Sequence, residues 1–215
     1  MNASNGVSAY EALERLRAGN KRFREGDHSI EALIRESRQQ DFQNGQNPFA
    51  VILTCADSRV PVEILFDQGI GDLFVIRVAG NVVAPSLVGS VEYSAVVLNT
   101  KLVVVMGHSR CGAVTTTIKV LKKQSKVPSD NIRDIVERIR PATAELVETN
   151  LSDDELLARA IRANVRASTS HLRHGSPLLE RLANEQELII VGAEYDIATG
   201  NVDFFDFPPG FEPPA

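Results

Sequence analysis

Cys55 is followed at two-residue steps by Asp57 and Arg59, and His108 stands three residues before Cys111, in the strings TCADSRVP and GHSRCGAV. The chain has only these 2 cysteines, too few for a disulfide framework. Two cysteines with a histidine form a known catalytic zinc set, in which three protein ligands leave the fourth tetrahedral position to water or substrate. A structural zinc usually fills all four positions. No third cysteine exists to close the site, and His28, His171 and His174 fall in expected helices or turns away from the cluster. The pattern favours an open site for one Zn2+ per chain, held by Cys55, His108 and Cys111. The competing reading makes the cysteines small buried hydrophobes, but it leaves their placement beside a histidine and a carboxylate without a reason. In an extended turn, Asp57 and Arg59 would emerge together. A planar guanidinium that grips a carboxylate through two bonds keeps it ionised, and beside a metal that carboxylate can accept a hydrogen bond from bound water. A turn-stabilising ion pair is the alternative.

This chemistry requires two distant stretches to meet, and the hydrophobic pattern supplies the frame. AVILT at 50–54, LFVIRV at 73–78, KLVVVM at 101–106 and ELIIVGA at 187–193 are continuous apolar runs, as expected of strands buried on both faces. Helical spacing covers 61–68, 86–98, 112–123, 130–149 and 153–173, and strands alternating with helices argue for a parallel sheet. NVDFFD at 201–206 follows the turn-like Ala198-Thr199-Gly200 and is expected to pair antiparallel with 187–193. Leu13, Leu16, Asn20 and Phe23 predict an amphipathic helix over 8–25 that ends near Gly26, with a second helix over 29–43. The tail FPPGFEPPA is too rich in proline to continue either element. The expected architecture is α/β: a mainly parallel four-stranded sheet with an antiparallel C-terminal edge strand, helices on both faces and an N-terminal helical arm. One domain spans 1–215, with the arm at 1–45, the core at 46–206 and the tail at 207–215. Cys55 and the His108–Cys111 pair then both follow strands, at the end of the sheet where ligands bind in open α/β folds.

Composition narrows the partners. With 23 basic against 28 acidic residues the formal charge is −5, so no global positive field is available to hold nucleic acid. Arg159, Arg162, Arg166 and Arg173 recur along one helix and are read as a solvated or subunit-contacting face. The opening residues lack a signal-peptide pattern, and no run approaches the roughly 20 apolar residues that span a bilayer. A cytoplasmic location with no membrane partner is expected.

CADSR followed by HSRC resembles the CxDxR and HxxC pair of the beta-class carbonic anhydrases, and the similarity runs from about Ala9 to Phe205 through GQNPFAVILTCADSRVP, GDLFVIRVAGN and GSVEYSAVVLNTKLVVVMGHSRCGAV. The resemblance implies reversible hydration of carbon dioxide to bicarbonate and a proton by zinc-bound hydroxide, with Cys55, His108 and Cys111 as ligands and Asp57 with Arg59 as the catalytic dyad. It places Gln46 as a donor to substrate oxygen, Phe74, Ala79 and Tyr93 around an apolar substrate pocket, and the backbone of Gly112 close to substrate. It also implies an N-terminal helix that serves as an arm on a partner, and the apolar stripe of that helix with the apolar segment 86–98 suggests a homodimer or a dimer-based tetramer. Ile52 stands where bicarbonate-regulated relatives carry tryptophan; Arg77 and Tyr195 fall near the other parts of that regulatory site, which is therefore incomplete, and that form of regulation is not expected. Hydrolases of carbonyl sulfide or carbon disulfide resemble the same family and remain the alternative, as does a non-catalytic zinc or thiol-redox sensor. His171 and His174 have the titration range of proton shuttles, but their spacing fits a solvated helix surface better.

Overall fold

The computed structural model describes residues 6–27 and 45–212; the expected helix over 29–43 and His28 lie outside them. The described elements are α1 (Ala9–Glu25), β1 (Ala50–Thr54), α2 (Val62–Leu65), β2 (Leu73–Arg77), a 3-10 turn (Ala79–Asn81), α3 (Pro85–Val97), β3 (Leu102–His108), α4 (Gly112–Leu121), α5 (Asp130–Val147), α6 (Asp153–His174), α7 (Pro177–Asn184), β4 (Ile189–Tyr195) and β5 (Val202–Asp206). The sheet order is β2-β1-β3-β4-β5, parallel throughout except for the β4–β5 pair. The expected strands, their directions and the covering helices are thus present. β3 runs on to His108, which pairs with Tyr195, so the histidine is the last strand residue rather than the first loop residue. Helix α7 was not expected from the sequence. Its eight residues follow the N-cap Ser176 and begin with Pro177, a proline in the first turn, and Leu179 and Leu182 are its buried side.

Side-chain alternation explains why the strand sequences are apolar throughout. Ala50 and Ile52 of β1, Leu102, Val104 and Met106 of β3, and Val191 and Ala193 of β4 face α1 and α2. Their neighbours Val51, Leu53, Val103, Val105 and Ile190 face the other way, against α3, α6 and α7. Period-two alternation with helices on both faces leaves no solvated side. A third apolar cluster, from α4, α5 and α6, closes around Cys55 and Cys111.

α1 starts at Ser8, whose hydroxyl accepts from the Glu11 N–H, and ends at Gly26 in the left-handed conformation. Its stripe of Ala12, Leu13 and Leu16 is fully buried on the chain's own sheet. Of the two apolar faces expected to meet a partner, this one is therefore consumed internally. Asn20, on the same stripe, is 4% exposed; its amide donates to the carbonyls of Leu65 and Gly200 and accepts from the Val202 N–H. One side chain thereby joins α1 to the end of α2 and to the β4–β5 turn.

The arginines of α6 divide. Arg162 pairs with Asp203 and Glu194 and lies over the Phe205 ring, and Arg173, 13% exposed, pairs with Asp206. These two fasten α6 to β4 and the edge strand β5 instead of forming a solvated stripe.

A candidate metal centre between two strands

β1 and β3 are neighbours, but β1 leads the chain toward β2 on one side and β3 leads it toward β4 on the other. A crevice opens at such a switch point, beyond the C-terminal ends of the strands. Cys55 leaves β1 there, His108 ends β3, and Cys111 immediately precedes α4. Ligand atoms of the three lie within 4.8 Å of one another, and all three residues are buried.

The donor set fits a cation. The two sulfurs are 4.0 Å apart. Pairing with the Cys111 thiol draws the Cys55 thiol well below the ordinary range despite burial, helped by His108 and the N–H groups of Gly80 and Asp57. The same pairing, with burial, pushes Cys111 up. Two sulfurs so placed cannot both be thiolates unless a cation lies between them. His108 Nδ1 lies 3.0 Å from the Ser109 carbonyl; a carbonyl accepts only, so the ring proton belongs on Nδ1 and Nε2 carries the lone pair. Nε2 is buried without a hydrogen-bond partner, one of two such side-chain atoms among the described residues. A buried acceptor left unmatched is costly, and a metal would satisfy it.

Asp57 stands beside this cluster, with Oδ2 3.9 Å from His108 Nε2. Arg59 grips its carboxylate through Nε and Nη2, and the Arg59 backbone N–H donates to Oδ1. The Arg59 guanidinium holds the Asp57 carboxyl far below the usual carboxylate range, against the opposing effect of burial. Arg77 donates from Nη2 to the Asp57 backbone carbonyl at 2.6 Å. The expected two-bond grip is therefore present, with a second arginine behind it.

Residues 50–202 match the family model described as carbonic anhydrase. The chain belongs to the beta-carbonic anhydrase family. It is 39% identical over 203 residues to a carbonic anhydrase of Mycolicibacterium smegmatis, covering 93% of each chain. Identity to carbonic anhydrase 2 of Mycobacterium tuberculosis is 38% over 200 residues, covering 92% of this chain and 91% of the relative. The solved structure of the beta-carbonic anhydrase CcaA superposes with a TM-score of 0.71 at 28% identity, covering 92% of this chain and 93% of that one. Beta-carbonic anhydrases are zinc-dependent lyases, and Cys55, His108 and Cys111 are positioned to hold the ion.

The remaining residues expected in a beta-carbonic anhydrase site separate into two groups. Ala79 opens the 3-10 turn that carries Gly80, and Gly112 is the first residue of α4 with nothing within 4 Å of where a Cβ would project; both lie at the cysteine end of the sheet. Gln46, Phe74 and Tyr93 do not. Gln46 precedes β1 whereas Cys55 follows it. Phe74 pairs with Val51, four residues below Cys55, which is about 13 Å along a strand. Tyr93 lies on α3, 48% exposed, with its ring centroid 6.4 Å from that of Phe74. Within one chain these three do not reach the cluster. Ile52 is fully buried in the sheet. His171 and His174 are exposed at the C-terminal end of α6, and His174 borders a groove with Lys101 and Ile189, at the opposite end of the strands from Cys55.

The sequence reading missed Gly80, whose N–H lies 3.3 Å from the Cys55 sulfur. The signal is the Gly80-Asn81 pair shortly after the apolar run at 73–78, a turn dipeptide at the same sheet end as the ligands.

No helix among the described residues is long and apolar enough to cross a membrane.

Proposed function

We propose that this chain catalyses the reversible hydration of carbon dioxide to bicarbonate and a proton in the cytoplasm, where its unbridged thiols suit a reducing compartment. The observation that carries this reading is the buried, unpartnered Nε2 of His108, turned to the same point as two cysteine sulfurs and flanked by a carboxylate that is kept ionised.

Zinc held by Cys55, His108 and Cys111 would supply Lewis acidity that makes water a nucleophile near neutral pH. Asp57, with Arg59 occupying both of its oxygens from one side, accepts a hydrogen bond from the attacking oxygen and so aims its lone pair at carbon. Gly112 is the first residue of α4, so its N–H belongs to the positive end of that helix, which favours an anionic product oxygen. Two thiolates neutralise the ion's charge, so the rate should favour mildly alkaline pH.

Gln46, Phe74 and Tyr93 complete the pocket from a second copy of the chain. On α3 only Val91 and Ser94 are buried, while Tyr93, Val96 and Val97 are 48%, 57% and 60% exposed. Large apolar side chains exposed together on one helix mark an interface, and a symmetric contact there would bring one chain's α3 and β2 side to the other's cluster.

The test is stopped-flow carbon dioxide hydration with a pH indicator, before and after zinc removal by a chelator. Fast hydration lost on chelation and restored by zinc is expected. Zinc-loaded protein that leaves carbon dioxide unaccelerated but hydrolyses carbonyl sulfide or carbon disulfide would reassign the substrate.

A further inference from the structure

Sulfur ligands are tuned by the groups that hydrogen-bond to them, and such outer partners matter almost as much as the ligands themselves. Cys55 accepts the Gly80 N–H at 3.3 Å, and the peptide that presents this N–H has an uncommon shape. Gly80 and Asn81 are successive left-handed residues, with φ of +73° and +44°. No side chain caps the start of their turn, and Asn81 Nδ2 is the second buried side-chain atom without a partner among the described residues.

Helix α6 supplies what the turn lacks. Asn164 Nδ2 donates to the Gly80 carbonyl at 2.8 Å, and Ser168 Oγ donates to the Asn81 carbonyl at 3.0 Å. These residues are one helical turn apart on one face, 2% and 5% exposed. Around them the face is apolar, with Ile161, Val165 and Leu172 buried. Polar groups in such a setting are costly unless they are matched, and here they donate to the two carbonyls of this turn. α4 and α5 close it from the other side: a Cβ on Gly80 would stand 2.8 Å from Ile139 Cδ1 and 3.0 Å from Ala113 Cβ. The turn is held so that its N–H points at sulfur.

We infer that Asn164 and Ser168 are positioning residues for the metal centre, fixing the Gly80–Asn81 turn so that the Gly80 N–H donates to the Cys55 sulfur and limits how strongly that sulfur donates to the ion. The inference rests on Cys55, His108 and Cys111 being the zinc ligands. An N–H on the thiolate withdraws electron density, returning to the ion some of the acidity that two thiolates take away. Loss of the turn leaves a more electron-rich, less well aimed sulfur.

The test compares the full-length parent with Asn164→Asp, which keeps the shape but removes the donor, and with Ser168→Ala. Three properties are read: zinc affinity by chelator competition, the sulfur-to-metal charge-transfer band of the cobalt-loaded protein, and the pH midpoint of carbon dioxide hydration. The expected results are zinc binding weakened by about 10- to 100-fold, a band shifted to longer wavelength, and a midpoint shifted to higher pH. Folded variants with the parent's affinity, band and midpoint, changed only in melting temperature, would show that α6 merely supports the fold. If Asn164→Asp does not fold, Ser168→Ala decides by the same readings. A parent that takes up no stoichiometric zinc overturns the ligand assignment and this inference together; a tight zinc site in the parent with unaltered variants overturns the inference alone.

Discussion

Arg59 closes on Asp57 with two parallel bonds, Nε to Oδ1 at 2.9 Å and Nη2 to Oδ2 at 2.8 Å. Both donors lie on one guanidinium plane, so the grip fixes the carboxylate's direction as well as its charge.

Asp57→Asn should therefore retain zinc while the hydration rate falls by about 10²-fold, because an amide matches the shape but can turn an N–H toward the attacking oxygen. Arg59→Lys gives a point charge without a fork and is expected to be intermediate. Metal content by atomic emission, beside stopped-flow rates, separates this effect from loss of the ion. An Asp57→Asn protein with the parent's rate would remove Asp57 from the reaction.

Val97→Glu places a charge on the exposed apolar end of α3, where the side chain is 60% open in the single chain. Sedimentation should show a dimer for the parent and a monomer for the variant. Hydration should fall by about 10²-fold if Gln46 and its neighbours act across the interface, with zinc still bound. A fully active monomer would mean that the pocket is complete within one chain.

Asn20→Leu restores the ideal apolar stripe of α1 and should nonetheless destabilise the protein. The Val202 N–H and the carbonyls of Leu65 and Gly200 lose their partner, at a cost of about 2–4 kcal/mol. Urea unfolding of zinc-loaded protein measures it. An unchanged midpoint would mean that those backbone groups find other partners.

Acid sensitivity should follow Asp196. Its carboxylate accepts from the Ala198 N–H and from the hydroxyls of Thr199 and Ser109, and the Ala198 N–H is the first cause of a pKa below the ordinary carboxylate value. A folded pKa below the unfolded value of about 3.9 gives stability that is complete above that pH and lost as pH falls through the folded value. Asp196→Asn should therefore show a flatter dependence of unfolding midpoint on pH below about 4. Parallel curves for the two proteins would assign the acid loss to other groups.

Much of the frame was legible because strand burial writes itself as unbroken apolar runs. Val103, Val104 and Val105 face alternate sides and are all fully buried, so no polar residue interrupts them. α7 escaped notice because eight residues with two buried leucines give little periodicity to read. Asn20 was legible as a position on the buried stripe but not as a polar residue whose partners lie 45, 180 and 182 residues away.

By itself the sequence determined the ligand types, the Asp57–Arg59 pair and the alternation of strand and helix, since these depend on local spacing and side-chain chemistry. Only the tertiary structure decided that β1 and β3 are neighbours, and that adjacency is what turns Cys55 and the His108–Cys111 pair into one site. It also decided which expected pocket residues a single chain can bring together. Gly112 stands at the cysteine end of the sheet, while Gln46, Phe74 and Tyr93 are held away from it by the length of a strand. Such distances arise from packing between residues far apart in the chain, and local sequence carries no record of them.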